Sequence, residues 1–253
     1  LAITIYGLRT SGVEVRTAFA PETVDSYEVG VKNTLFDRTV LLNATLFYQE
    51  YKDFQLNAFN GLVFSVASVP KVISKGVDAD FLWFTPVDGL SLNGGVTYAQ
   101  TFYPRSTPLF LGANLPGSRL SLAPLWSASL GVTYERPIAE GLIGRIAVNG
   151  KTVSGFNTGS DLDLEKVQDA YALFNGRIGV YGPGKRWGVE LWGQNLLNKK
   201  YQMIAADMPL QGGGTFRAVA AAASTGLSGT ANQLFVAFPG EPRTWGATIK
   251  FTY

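Results

Sequence analysis

The chain has 253 residues, of which 46% are apolar and only 16% charged, with a formal net charge of +2. So small a charge gives no electrostatic argument for nucleic-acid binding, and the charged fraction falls below the usual quarter of a soluble domain. There is no Cys and no His. Disulfides, thiol chemistry, the commonest general base and the commonest zinc ligand are therefore excluded, and an enzyme is not expected.

No run of about 18 apolar residues predicts a transmembrane helix, and no charged start with an apolar centre marks a signal peptide. The first predicted element is a strand at 1–9, "LAITIYGLR", an opening that fits a processed protein or a fragment. Next comes 24–35, where "YEVGVKNTLF" sets Tyr27, Val29 and Val31 on one face and Glu28, Gly30 and Lys32 on the other. The alternation resumes in "TVLLNATLFYQEY" within 39–56. In 72–85, Val77, Ala79, Phe81 and Trp83 oppose Asp78, Asp80, Leu82 and Phe84. In 90–102, Leu90, Leu92, Val96 and Tyr98 oppose Ser91, Asn93, Gly95 and Thr97. In 123–135, Trp126, Ala128, Leu130, Val132 and Tyr134 oppose Ser127, Ser129, Gly131, Thr133 and Glu135. Strands follow at 142–154 and 168–181. In 186–197, Trp187, Val189 and Leu191 oppose Gly188, Glu190, Trp192 and Gln194. The last, 243–253, sets Trp245, Ala247, Ile249, Phe251 and Tyr253 against Thr244, Gly246, Thr248, Lys250 and Thr252. Such patterns, rich in β-branched and aromatic residues, are strand signals.

Tight and long connections alternate. The tight ones are "FDR" near 36–38, "PVDG" at 86–89, the stretch around "PIAEG", and "GPGK" at 182–185. The long ones are 10–23, 57–71, 103–122, 155–167 and 198–242. Short turns at one end, long loops at the other and strands of crossing length describe a transmembrane antiparallel β-barrel. Soluble strands are mostly about 5–6 residues. The fold class expected is therefore all-β, a transmembrane barrel with about ten strands present. Its greasy face meets outer-membrane lipid and its polar face the lumen, because lipid satisfies no polar group. Trp83, Trp187, Trp245, Tyr98 and Tyr134 fall near strand ends, where aromatic girdles sit.

Glu28, Lys32, Asp78, Asp80, Arg177, Glu190 and Lys250 are then lumenal. Contacts to a plug or a ligand path are one reading, and a network of paired charges and water is the favoured one. Asp161, Asp163 and Glu165 of "DLDLE" offer alternate carboxylates of the kind calcium takes, but without the Gly and spacing of a calcium loop. A solvated loop is the expectation. "GPGKRWG" at 182–188 lacks the phosphate-loop pattern and reads as a turn. The Gly-, Ala- and Ser-biased stretch 211–233 reads equally as a loop folding over a ligand or as an inert flexible one. No catalytic, cofactor or metal residue is assigned.

Four ordered motifs carry a family resemblance. "FAPETVDSYEVGVKNTLFDRTVLLNATLFYQEYKDFQ" at 19–55, "SKGVDADFLW" at 74–83, "GQNLLNKKY" at 193–201 and "GEPRTWGATIKFTY" at 240–253 resemble the C-terminal part of TonB-dependent outer-membrane receptors. The resemblance implies a 22-stranded barrel, of which residues 1–253 would be the C-terminal half, in the outer membrane of a Gram-negative bacterium. It implies import of a scarce ligand, a ferric siderophore foremost, driven by the TonB energy-transducing system through a plug domain not recognisable in these residues. Tyr253 resembles the family's terminal aromatic. The alternative, left open by the strand count, is a small standalone ten-stranded barrel acting as a passive pore or structural protein.

Overall fold

The computed structural model describes residues 21–59, 64–109, 113, 115–208 and 234–252. Its strands are β1 (Thr23–Leu35), β2 (Val40–Phe59), β3 (Phe64–Phe84), β4 (Leu90–Phe102), β5 (Trp126–Ala139), β6 (Leu142–Val153), β7 (Phe156–Asn157), β8 (Val167–Gln168), β9 (Tyr171–Tyr181), β10 (Trp187–Gln194), β11 (Gln202–Asp207), β12 (Phe235–Pro239) and β13 (Thr244–Phe251). Nine of them form one antiparallel sheet in the order β1-β2-β3-β4-β5-β6-β9-β10-β13, a meander interrupted only by two small loop pairs, β7-β8 and β11-β12. No helix among the described residues is long and apolar enough to cross a membrane.

Register follows from period-2 patterning. A slip of one residue would send every apolar side chain to the polar face. The observed pairing instead lines up Val31 with Ala44, Ala44 with Ala79, Ala79 with Val96 and Val96 with Ala128. Farther along the sheet, Tyr134 meets Ile146, Ile146 meets Ile178, Ile178 meets Leu191 and Leu191 meets Ala247. One continuous apolar surface results. Val29, Leu46, Leu130, Ile178, Leu191 and Ile249 on it are all more than half exposed. In water this would be a large unprotected patch; against hydrocarbon it is the solvated face.

Aromatic residues edge that surface on both sides. Trp83, Tyr134 and Trp187 lie toward the tight turns, and Tyr98, Trp126 and Trp245 toward the long loops. Tyr98 and Trp126 are register partners with ring centroids 4.7 Å apart. Trp126 and Tyr134 bracket the apolar part of β5, eight positions apart. At about 3.3 Å per residue that spans ~26 Å along the strand. A tilt of about 40° reduces it to ~20 Å, close to the ~25 Å apolar band of outer-membrane barrels.

All four expected tight turns are present, at 36–39, 85–89, 140–141 and 182–186. Gly89 is at φ +80°, and a Cβ there would lie 1.9 Å from the Glu135 carbonyl oxygen of the adjacent strand β5. Gly89→Ala is expected to cost about 1–3 kcal/mol through backbone strain alone. Refolding yield and urea midpoint in bilayers check this, with Gly184→Ala as comparison, since its φ is +61° with no atom near the added Cβ.

Three expectations are corrected. The 57–71 loop is largely strand, because β2 and β3 run on as a paired ribbon to Phe59 opposite Phe64. The 155–167 and 198–242 connections contain the β7-β8 and β11-β12 pairs. A hydrophobic core forms where the β2–β3 ribbon meets the β4–β5 connection. Leu56, Val69, Val72, Tyr103, Ala113 and Leu115 are buried together, with Tyr51, Phe54, Leu120 and Leu162 packed around them. The chain thus has its core at the loop end of the sheet, where water supplies a hydrophobic driving force that the lipid band does not. The strand expected at 1–9, Tyr253 and the 211–233 segment lie outside the described residues.

Candidate functional site

The polar face of the sheet carries two groups of titratable side chains. Across β9, β10 and β13, Glu190 is a hub, with its residue 2% exposed. It accepts hydrogen bonds from Tyr181 Oη and from Arg177 Nη1 at 3.4 Å, and Lys250 Nζ stands 3.2 Å away. The register places these groups without further help: Glu190 pairs with Gly179 on one side and Thr248 on the other. Gly179 leaves room, for a Cβ there would sit 3.0 Å from Glu190 Cγ. Arg177 and Lys250 keep half of their side chains open to the lumen. One carboxylate facing two cations leaves this part of the wall positive.

Across β1 to β4 the balance is reversed. Thr97 Oγ1 donates to Asp78 at 2.5 Å and Asn43 Nδ2 donates to Asp80 at 2.9 Å. Glu28, Thr45, Phe47, Gln49, Ser74, Asp78 and Thr97 line an open polar groove of about 400 Å³. Asp78 and Asp80 are thus held by neutral hydrogen-bond donors, whereas Glu190 is held by cations. Expected pairing of the lumenal charges is observed for Arg177, Glu190 and Lys250. Among the described residues no ion pair involves Glu28, Lys32, Asp78 or Asp80.

The third group lies in the outer loops. Lys166 is 1% exposed and its ammonium contacts Asp161 and Asp207, with Asp163 at 3.5 Å. Thr158, also buried, donates its hydroxyl to the Lys166 carbonyl at 2.6 Å, and Ala205 N–H bonds the Thr158 carbonyl at 3.1 Å. Asp207 comes from β11, in the loop between β10 and β13, and the other three residues from the loop between β6 and β9. The cluster therefore fastens two outer loops to each other. Burial opposes the Lys166 charge, but hydrogen bonds and attraction from Asp161 and Asp207 outweigh it and raise the amine above the ordinary lysine range. This corrects the reading of "DLDLE" as solvated. Two of its carboxylates turn inward to a buried lysine, and Glu165 is not among them. Although Asp161, Asp163 and Asp207 bring oxygens within 4.8 Å of one another, the Lys166 ammonium already supplies positive charge where a cation would stand. The partner Asp207 lies 41 residues from Lys166, which is why local spacing did not reveal it.

"GPGKRWG" is the β9–β10 turn, with a single 3-10 turn at Pro183–Lys185. Lys185 Nζ reaches across to Glu135 at 2.6 Å.

A barrel wall with one lipid-facing surface, a hydrogen-bonded polar lumen and folded outer loops defines an outer-membrane β-barrel protein. Residues 4–196 match the family model described as TonB dependent receptor-like, beta-barrel, and the chain belongs to that family. It is a membrane-spanning β-barrel segment of the Gram-negative outer membrane, and the family consists of transporters rather than enzymes. Solved structures share the fold. The ferric yersiniabactin uptake receptor FyuA of Yersinia pestis superposes with TM-score 0.69 at 21% identity, over 96% of this chain and 32% of that one. The ferric-catecholate import receptor Fiu of E. coli K12 gives TM-score 0.60 at 18% identity, over 96% and 30%. BauA, the ferric preacinetobactin receptor of Acinetobacter baumannii, gives 0.60 at 17%, over 92% and 30%. The chain spans about a third of the length of these structures. The family match does not favour the small standalone barrel.

Proposed function

We propose that this chain is the C-terminal part of the barrel of a TonB-dependent receptor that imports a scarce ligand across the outer membrane, a ferric siderophore foremost. TonB would act on it through a plug domain carried outside these residues. The observation that carries the reading is the family match over residues 4–196 on a sheet whose two faces are solvated so differently. The receptors it superposes on are named for ferric ligands, which supports iron chelates as the ligand class. The positive wall around Arg177 and Lys250 suits negatively charged chelates passing along it.

The test is uptake by iron-starved cells expressing the complete polypeptide that contains this chain. Accumulation of a radiolabelled ferric chelate from a panel of catecholate, hydroxamate and phenolate types is expected, and is expected to vanish when TonB is deleted. Uptake that persists without TonB would instead identify a passive pore. No uptake of any ferric chelate, with growth stimulated by another TonB-dependent nutrient, would replace the ligand class.

A further inference from the structure

The lipid-facing surface is not smooth. Beside the loop-side girdle, Gly176 of β9 and Gly193 of β10 are register partners. With no side chains there, Ile178, Leu191, Leu196 and Trp245 wall an apolar groove of about 560 Å³. At its loop-side rim stands Arg243. Its guanidinium lies 5.8 Å above the Trp245 ring, and its Nη1 donates to the Leu196 carbonyl at 3.5 Å. Two groove walls thus hold the same cation. Lys199 and Lys200 follow in the adjacent loop, all three side chains are exposed, and no ion pair engages any of them among the described residues. The loop is not slack: Asn195 is 4% exposed, bonds Lys199 N–H and carbonyl, and donates to the Glu241 carbonyl at 2.9 Å. Glu241 is the one carboxylate among these residues.

We propose that this groove binds an outer-leaflet lipid whose headgroup carries an exposed phosphate. One acyl chain lies over Gly176, against the Leu196 and Trp245 side chains that cover Gly193, and the phosphate lies by Arg243 and the neighbouring Lys199 and Lys200. Apolar shape alone would accept any lipid. Arg243 at the rim, with Lys199 and Lys200 exposed on the loop whose Asn198 accepts the Arg243 backbone N–H at 3.2 Å, selects one with negative charge at that height. The long loops place this rim on the outer side. Binding at the outer surface is independent of ligand uptake, so it stands or falls separately from the import proposal.

The complete receptor, reconstituted in nanodiscs, would be tested by native mass spectrometry with dimyristoyl phosphatidic acid against dimyristoyl phosphatidylcholine, which have the same chains. Retention of phosphatidic acid is expected to exceed that of phosphatidylcholine on the order of tenfold. The Lys199→Gln, Lys200→Gln, Arg243→Gln variant is expected to abolish the preference. Gly176→Leu is expected to lower retention of both lipids, since a Cβ at Gly176 meets nothing closer than 3.4 Å and the longer side chain fills the groove. If a variant fails to assemble, quenching of wild-type fluorescence by brominated acyl chains, with Trp245→Phe as the subtraction, reads the groove directly. Equal retention of the two lipids, or displacement of phosphatidic acid by inorganic phosphate alone, would overturn the proposal.

Discussion

Leu130→Arg is expected to destabilise the assembled barrel by about 2–4 kcal/mol, the cost of a cation at the hydrocarbon midplane. Leu130 lies midway between the girdle residues Trp126 and Tyr134, is half exposed, and has glycines as both register partners, Gly94 and Gly150. The Phe81 and Phe174 rings lie over those glycines, so an arginine there meets apolar neighbours, and the distance to either interface is greatest. Ser129→Arg, one residue earlier, points into the lumen, where water solvates the charge, and is expected to cost less than 1 kcal/mol. Reversible unfolding of the complete protein in bilayers measures both. Equal costs would mean that the two faces are assigned wrongly. The same logic orders Ile249→Arg between them, because Ile249 lies two residues from Phe251, near the turn-side edge of the band.

Lys166→Met is the second large effect. It leaves Asp161, Asp163 and Asp207 buried without their shared ammonium. Removing one partner from a buried ionic group typically costs about 3–5 kcal/mol, since the remaining charges stay desolvated. The loss is expected to be local to the outer loops, because none of these residues lies in the nine-stranded sheet. Hydrogen exchange should therefore accelerate in residues 156–168 and 202–207 while β4 and β5 remain protected. Exchange unchanged in 202–207 would show that the two loops are not fastened through Lys166. Combining Lys166→Met with Asp161→Asn and Asp207→Asn should recover much of the protection, as neutral partners replace stranded charges. The raised Lys166 amine gives a pH dependence of definite sign. Its contribution is complete below the ordinary lysine pKa and is lost as pH rises through the higher folded value. On the basic side, then, the fastening is expected to open only under strongly alkaline conditions.

Much of this architecture is dictated locally. Each membrane strand must place lipid-compatible side chains on alternate residues, so "YEVGVKN" or "WSASLGVTYE" reveals its face, and nearly its register, without knowledge of any partner. The tight turns are equally local, because Asp, Gly and Pro supply the backbone angles that a reversal of a few residues needs. Leu90–Phe102 was bounded to the residue for this reason. The long ribbon of β2 and β3 was not, since beyond the lipid band the alternation no longer has to obey a greasy and a wet side. The outer loops were least legible. Their order comes from burial of Leu56 and Val72 of the β2–β3 ribbon against Tyr103 and Leu115 of the β4–β5 connection, and from Asp207 meeting Lys166 across 41 residues. Long-range packing of this kind leaves no periodic trace. Likewise, Glu190 was readable as lumenal from its parity in β10. That Arg177, Tyr181 and Lys250 all converge on it was decided only when three strands came into register.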